Sequence, residues 1–169
     1  MQIVLITTSL NAVRKTIQSF SKVELHVIDC ADYNHGTFAE LKKRVLSELE
    51  KYYSEKGAPD ILLTYRCPCL IPNTLYSQAK IGAYNIHPSM LPRYPGINPW
   101  KEMFTNNETS GGVSIHHLSP HADQGLILMQ QTFKFSHPLS IDTARRQADL
   151  IAARMVKTLV ANLRDCSFK

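Results

Sequence analysis

The fold class is indicated by QIVLIT, residues Gln2–Thr7, a run in which every residue after the first is apolar or β-branched. Such a run, without polar alternation, is typical of a strand buried on both faces, as strands of parallel sheets are. The sequence after it alternates in type, with helices predicted at Asn11–Phe20 and Phe38–Tyr53 and strands at Val23–Ile28, Ile61–Thr64 and Ile81–Ile86. Alternating strands and helices predict βαβ units, and therefore an α/β fold with a mostly parallel sheet.

The second half of the chain has a different pattern. Two longer strands are predicted at Gly112–Leu118 and Leu126–Phe135, and the polar loop between them favours antiparallel pairing at one side of the sheet. A long helix is predicted at Ser140–Leu163, with Ser140 as its N-cap. Its small-residue face allows close packing within the chain or in a homodimer, and packing within the chain is favoured; this face consists of Ala144, Ala148 and Ala152. No internal linker or repeat is found, which predicts one domain over residues 1–169.

Composition narrows the class of protein. Hydrophobic residues make up 44% and charged residues 20% of the 169 residues, as expected of one globular domain with a core. The net charge of +5 is spread along the chain without a basic stripe interleaved with aromatics, so a nucleic-acid partner is not expected. No stretch has membrane-spanning length and residues 1–8 do not match a signal peptide, so a cytoplasmic protein without a membrane partner is expected.

Three polar residues lie where predicted strands end. Asn85 and His87 are at the end of the strand predicted at Ile81–Ile86, and Asp123 follows a later apolar run. In an open α/β sheet, ligands bind beyond the carboxyl ends of the parallel strands. An amide and an imidazolium can stabilise a developing oxyanion, and a carboxylate can accept a proton from an attacking amine. This trio suits acyl transfer to an amine without a metal or a covalent nucleophile.

Simpler interpretations exist for these and other polar residues. Taken singly, Asn85 could cap a turn, His87 could be an ordinary loop residue, and Asp123 could be a turn residue. A zinc site is not expected at His116 and His117, since adjacent residues on a strand point to opposite faces. The cysteines of the sequence Cys67-Pro68-Cys69 have neither redox nor zinc spacing and are interpreted as reduced packing residues.

Two longer stretches are similar to a known family. NIHPSMLPRYPGINPW, Asn85–Trp100, and GVSIHHLSPHADQGLIL, Gly112–Leu128, resemble the formyltransferases that use 10-formyltetrahydrofolate. The resemblance implies a Rossmann-like, doubly wound sheet with helices on both faces. It also implies 10-formyltetrahydrofolate as the co-substrate and no metal.

The resemblance assigns roles to residues of this chain. The catalytic amide, imidazole and carboxylate match Asn85, His87 and Asp123. The folate-binding positions match Cys69, Leu70, Ile71, His116, Ser119, His121 and Gly125, the last three within the loop that closes over the folate. The residues expected to face the amine acceptor are Asn11, Tyr94, Gly96, Asn98 and Trp100, and Trp100 could equally fill the core.

Some features separate the branches of the family. The segment after the first strand, Thr7–Asn11, lacks the glycine-rich turn of glycinamide ribonucleotide formyltransferases, and Asn98-Pro99-Trp100 resembles the amino-sugar branch. The second domain of methionyl-tRNA formyltransferases is not expected. The sequence therefore predicts N-formyl transfer to a small primary amine, with an amino sugar or sugar nucleotide ahead of glycinamide ribonucleotide. A formyltetrahydrofolate hydrolase and a non-catalytic folate-binding module are the alternatives.

The mechanism also requires a charged His87, and a nearby Asp123 is expected to raise the pKa of His87.

Overall fold

The computed structural model of the protein describes residues 1–8, 12–30, 37–135 and 140–166. Six strands form one sheet in the order β2-β1-β3-β4-β5-β6. The strands are β1 (Gln2–Thr7), β2 (Glu24–Asp29), β3 (Ile61–Tyr65), β4 (Gly82–His87), β5 (Ser110–His117) and β6 (Ile127–Lys134). The helices are α1 (Ala12–Gln18), α2 (Phe38–Lys56), α3 (Asn73–Tyr76), α4 (Pro99–Thr105) and α5 (Ile141–Cys166).

The sheet is parallel on one side and antiparallel on the other. Strand β1 pairs in parallel with β2 and β3, and β3 pairs in parallel with β4. Strands β5 and β6 continue the sheet by antiparallel pairing. This confirms the predicted mostly parallel α/β sheet with an antiparallel portion. The chain leaves β1 toward β2 on one side and β3 on the other, and such a switch point opens a crevice at the carboxyl ends of the strands.

Helices cover both faces of the sheet and divide the core into two clusters. On one face, Leu5 of β1 and Ile86 of β4 pack with residues of α1 and α5. On the other face, Ile6 and Ala83 pack with residues of α2. Successive residues of a strand point to opposite faces. Asn85 and His87, two and four residues after Ala83, therefore belong to the face that α2 covers.

The long helices begin where side chains can cap them. Thr37 and Glu40 form a capping box at the start of α2, and Gly57 ends that helix. The backbone N–H of Thr143 donates to the Ser140 hydroxyl, which confirms the predicted N-cap of α5. The small-residue face of α5 is fully buried within the chain, at Ala144, Ala148 and Ala152.

Helix α4, Pro99–Thr105, was not predicted from the sequence. Its start carries proline at the first helical position, a recognised signal that is easily hidden among the other loop prolines nearby. None of the helices within the described ranges combines the length and apolar character needed to cross a bilayer.

Candidate active site

The centre of the site is a row of three polar residues on neighbouring strands. The strand register pairs Thr64 of β3 with Asn85 of β4, and Asn85 with His116 of β5. The three side chains therefore lie side by side on one face of the sheet. Thr64 and His116 are almost fully buried, at 2% and 1% exposure, so their polar atoms need partners inside the protein.

The amide of Asn85 is held from both sides. Its Oδ1 accepts a hydrogen bond from the Thr64 hydroxyl at 2.8 Å. Its Nδ2 donates to Oδ1 of Asp123 at 3.1 Å and lies 3.1 Å from Nε2 of His116. Nδ1 of His116 lies 2.8 Å from the His117 carbonyl oxygen, which can only accept, so Nδ1 carries a proton. Nε2 of His116 faces both the Asn85 amide and the Asp123 carboxylate, whose Oδ1 lies 3.5 Å from it.

His87 lies between a carbonyl and a carboxylate. Its Nε2 lies 2.8 Å from the carbonyl oxygen of Tyr94, which fixes a proton on Nε2. Its Nδ1 lies 3.4 Å from Oδ1 of Asp123. The ring is 5% exposed, and this burial makes charging it costly.

The pKa of His87 corrects one expectation from the sequence. Burial lowers the pKa of His87, and this effect outweighs the opposing charge of Asp123 and the hydrogen bond to Tyr94. The expectation that Asp123 would raise the pKa of His87 had the right direction for that one interaction. The expectation was wrong for the net pKa of His87, because the sequence did not reveal how deeply the ring is buried.

Asp123 reaches the row from the loop between β5 and β6. Its Oδ2 accepts from the backbone N–H of Gly96 at 2.7 Å, while its Oδ1 faces Asn85 and both histidines. Burial raises the pKa of Asp123, but the partners His116, His87 and Gly96 together lower it below the usual value. Asp123 is therefore a carboxylate at neutral pH, with a lone pair directed at the site.

Gly125 fixes the path of that loop. A Cβ on Gly125 would lie 1.7 Å from the His117 carbonyl oxygen, so no other residue fits without moving the backbone. Asp123 itself has a φ of 56°, in the left-handed region that aspartate tolerates better than most residues. The close approach at Gly125 thus holds Asp123 within reach of β4.

A cleft of about 600 Å³ opens at this edge of the sheet, within the size range of small-molecule sites. The predicted site residues that line it are Cys69, Leu70, Ile71, Asn85, His87, Gly96, Trp100, His116, Ser119, His121 and Asp123. Trp100 combines the two roles considered for it, since it lines the cleft and also packs in the core cluster on the α5 face.

Other predicted site residues lie elsewhere. Tyr94 and Asn98 are not among the residues lining the cleft, and their contact with the acceptor stays a prediction. The Tyr94 hydroxyl donates to Glu108, and only the Tyr94 carbonyl reaches His87. Gly125 shapes the loop without lining the cleft. The predicted contact at Asn11 lies outside the described residues.

Several residues lining the cleft were not singled out from the sequence. Thr64 interrupts an otherwise apolar strand one residue before its end, a signal that could have been noticed. Arg66, with a φ of 54°, follows directly after β3, and Arg145 lies on α5, far away in the sequence. Phe38 and Lys42 of α2 border the cleft as well. Only the tertiary structure brings these helical residues to the strand ends.

Comparison with known proteins identifies relatives of this chain. The formyl transferase family model matches residues 3–159. A GDP-perosamine N-formyltransferase from Brucella melitensis is 38% identical over 85 residues, which are 48% of this chain and 32% of that protein. The chain spans about a third of the length of the curated relatives it matches, and 37% of a methionyl-tRNA formyltransferase from Staphylococcus epidermidis.

Solved structures share the fold. Phosphoribosylglycinamide formyltransferase from Bacillus halodurans superposes with a TM-score of 0.70 at 18% identity, covering 95% of both chains. The formyltransferase PseJ from Anoxybacillus kamchatkensis was solved with UDP-4,6-dideoxy-4-formamido-L-AltNAc and tetrahydrofolate. It superposes with a TM-score of 0.70 at 19% identity, covering 97% of this chain and 77% of that one.

Proposed function

This chain belongs to the formyl transferase family, and we propose that it transfers the formyl group of 10-formyltetrahydrofolate to the primary amine of a small acceptor. The proposal depends above all on one observation. Asn85, His87 and His116 each have a side-chain nitrogen within 3.5 Å of Oδ1 of Asp123. An amide, two imidazoles and a carboxylate at one point can stabilise an oxyanion and move a proton, which are the two requirements of acyl transfer to an amine.

Asp123 is the group we assign to accept the proton of the amine. Its lowered pKa keeps it ionised across the neutral range, and it is positioned by the Gly96 N–H. A free alkyl amine, with a pKa near ~10, is mostly protonated at neutral pH and cannot attack until that proton is removed. A positioned carboxylate of this kind contributes roughly 10²–10⁴ in rate.

Asn85 is the donor we assign to the formyl oxygen. In the free protein its amide nitrogen donates to Asp123 at 3.1 Å and lies 3.1 Å from Nε2 of His116. When Asp123 turns to an amine, one amide hydrogen is released toward the oxygen that gains negative charge. Thr64 keeps the amide oriented while this exchange occurs, since it holds Oδ1 from the other side. Loss of one such donor costs on the order of 10²–10³ in rate.

His87 acts in this scheme as a proton acceptor that becomes a donor. In the neutral ring, Nε2 keeps its hydrogen on the Tyr94 carbonyl and Nδ1 presents a lone pair to Asp123. A proton delivered to Asp123 can pass to Nδ1 across 3.4 Å. The resulting imidazolium is stabilised by negative charge on the formyl oxygen, which compensates for the cost of charging a buried ring. The proton then returns through Asp123 to the departing folate nitrogen as the bond between that nitrogen and the formyl carbon breaks, which leaves the formylated amine and tetrahydrofolate.

The cleft suits a folate in shape and lining. Folate supplies the formyl group, and the chain supplies an apolar wall for its pterin ring and backbone groups for the polar ring edge. Ile71 and Leu118 provide apolar surface, and the segment Cys69–Ile71 follows β3 along the cleft. PseJ, whose structure contains tetrahydrofolate, has the same fold, which supports folate as the co-substrate here.

The acceptor is proposed to be an amino sugar carried on a nucleotide. Arg66 and Arg145 line the cleft, and Nε of Arg145 is buried and has no hydrogen-bond partner among the described residues. Guanidinium groups are suited to phosphate oxygens. The Brucella relative is named for a GDP-linked sugar, and the PseJ structure contains a UDP-linked sugar. Glycinamide ribonucleotide also carries a phosphate and is the second candidate, although the first strand is followed by no glycine-rich turn.

The test is release of tetrahydrofolate from 10-formyltetrahydrofolate, measured with no amine, with GDP- and UDP-linked amino sugars, and with glycinamide ribonucleotide. Release that depends on an amine supports the proposal and identifies the acceptor. Release without any amine would make the protein a hydrolase, and binding without release would make it a folate-binding module. Asp123→Asn should reduce turnover by roughly 10²–10⁴ while folate still binds. Glu50→Gln, at an exposed carboxylate of α2 outside the cleft lining, is the matched control and should retain full turnover.

A further inference from the structure

A pair of thiols forms part of the cleft wall directly after β3. Cys67 and Cys69 both line the cleft and are half-buried, whereas Cys30 is 1% exposed. The Cys67 thiol donates to the carbonyl oxygen of Cys69 at 3.2 Å and also to the Cys69 sulfur. The chain bends at Pro68 and Cys69, so that the Cys67 thiol lies against the Cys69 residue. Both are free thiols.

The two sulfurs differ in their tendency to ionise. The hydrogen bond from Cys67 lowers the pKa of Cys69, burial opposes this, and the charge of Lys42 lowers it further. The pKa of Cys67 is raised, because its proton is held by Cys69 and because it is buried. Cys69 is thus the sulfur that ionises first, and Cys67 remains a thiol beside it. This division is the one found where a nucleophilic cysteine lies next to a resolving cysteine.

We propose that Cys67 and Cys69 form a reversible oxidation site, at which a hydroperoxide converts the two thiols into an intramolecular disulfide in the wall of the cleft. The Cys69 thiolate attacks a peroxide oxygen, so that an S–O bond forms, the O–O bond breaks and hydroxide leaves. Cys67 then attacks the sulfur of the Cys69 sulfenic acid, so that the S–S bond forms and the S–O bond breaks. Both thiol protons end in water. The two sulfurs lose two electrons, and one hydrogen peroxide is reduced to two water molecules.

Closing this bond alters the cleft. A disulfide needs sulfurs about 2.05 Å apart and Cβ atoms about 3.5–4.5 Å apart, so the turn at Pro68 has to tighten. Leu70 and Ile71 follow Cys69 directly and line the same cleft. Their displacement should weaken binding of a ligand there. That ligand is a folate only if the proposed function is right, and the effect on folate binding therefore rests on it.

The oxidation itself is tested without any folate. The full chain is treated with stoichiometric hydrogen peroxide, alkylated, digested without reduction and mapped by mass spectrometry. We expect a peptide carrying a Cys67–Cys69 disulfide that dithiothreitol reverses, consistent with the ready reduction of strained disulfides. Cys67→Ser should stop at a sulfenic acid on Cys69, trapped by dimedone, and Cys69→Ser should give no disulfide. Cys30→Ala, at a buried thiol outside the cleft lining, should behave as the wild type.

Two results would overturn the site: full alkylation of Cys67 and Cys69 after peroxide, or a disulfide that joins either of them to a different cysteine. Tetrahydrofolate affinity of the wild type, measured before and after oxidation, should fall at least about 10-fold, and an unchanged affinity would contradict the effect on the cleft. If the disulfide forms but the reduced protein binds no folate, the proposed function fails and the oxidation site stands.

Discussion

Nδ1 of His87 lies 3.4 Å from Oδ1 of Asp123, and the ring is buried enough that this carboxylate does not keep it charged. The pair therefore rests as a neutral imidazole beside an ionised carboxylate. Such a pair can accept a proton without first releasing one, which is what removal of a proton from an amine requires. Because the charge of Asp123 raises the pKa of His87, that pKa shows whether Asp123 is charged and in place.

The pKa of His87 should lie below 6.5 in the wild type and fall further in Asp123→Asn. Burial is the larger effect and lowers the pKa, while the Asp123 charge partly offsets it, so removing that charge leaves burial less opposed. NMR titration of the histidine ring resonances measures both values. The exposed-site variant Glu50→Gln should leave the titration unchanged. A His87 pKa that rises in Asp123→Asn would contradict the assigned geometry.

Replacement of Thr64 by valine should reduce turnover roughly 10-fold while the fold is kept. The variant leaves Oδ1 of Asn85 without its hydrogen bond from Thr64, a loss of about 1–3 kcal/mol for a buried polar group. The amide is then free to turn away from the site. Thr64→Ser keeps the hydroxyl and should retain most of the activity. Steady-state kinetics measure the turnover of both variants. Equal turnover of Thr64→Val and Thr64→Ser would show that the orientation of Asn85 does not depend on the Thr64 hydroxyl.

Gly125→Ala should lower both turnover and the melting temperature. The new methyl group would meet the His117 carbonyl oxygen at 1.7 Å, so the loop must shift and carry Asp123 with it. A displacement of about 1 Å at a catalytic group can cost on the order of 10² in rate. Gly57→Ala is the control, since Gly57 ends α2 at the opposite edge of the sheet with a φ of 77° and open space around it. That variant should lose stability through its backbone conformation and keep full kcat.

Arg145→Gln should raise the KM of an anionic acceptor about 10-fold without changing folate affinity. Its guanidinium lines the cleft, but 41% of the side chain is exposed, which places the loss near 1.4 kcal/mol, at the low end for charged hydrogen bonds. Arg146→Gln, at the adjacent exposed position of α5, should leave KM unchanged. An unchanged KM in Arg145→Gln would remove this residue from the acceptor site.

The sequence predicted the elements that hydrophobic patterning specifies. The buried run Gln2–Thr7 was predicted with the bounds that the structure gives, and Ser140 was correctly predicted to cap α5. Such features depend on residues close together in the chain, so local pattern is sufficient to find them. Helix α4 was missed, because the proline that begins it lies among the other prolines of the preceding loop.

The candidate site was predictable in part for the same reason. Asn85 and His87 are two residues apart on a strand, so the sequence alone places them on one face. Their alignment with Thr64 and His116 depends on strand register, which long-range packing decides. The hydrogen bond from the Tyr94 hydroxyl to Glu108 and the position of Arg145 in the cleft wall depend on long-range packing as well.

By itself, then, the sequence determined the alternation of strands and helices and the chemical types of the polar groups at the strand ends. Only the tertiary structure decided how these groups are oriented and charged. Hydrogen-bond partners and solvent access are contributed by parts of the chain that are distant in sequence, and these set the neutral state of His87 and the ionised state of Asp123.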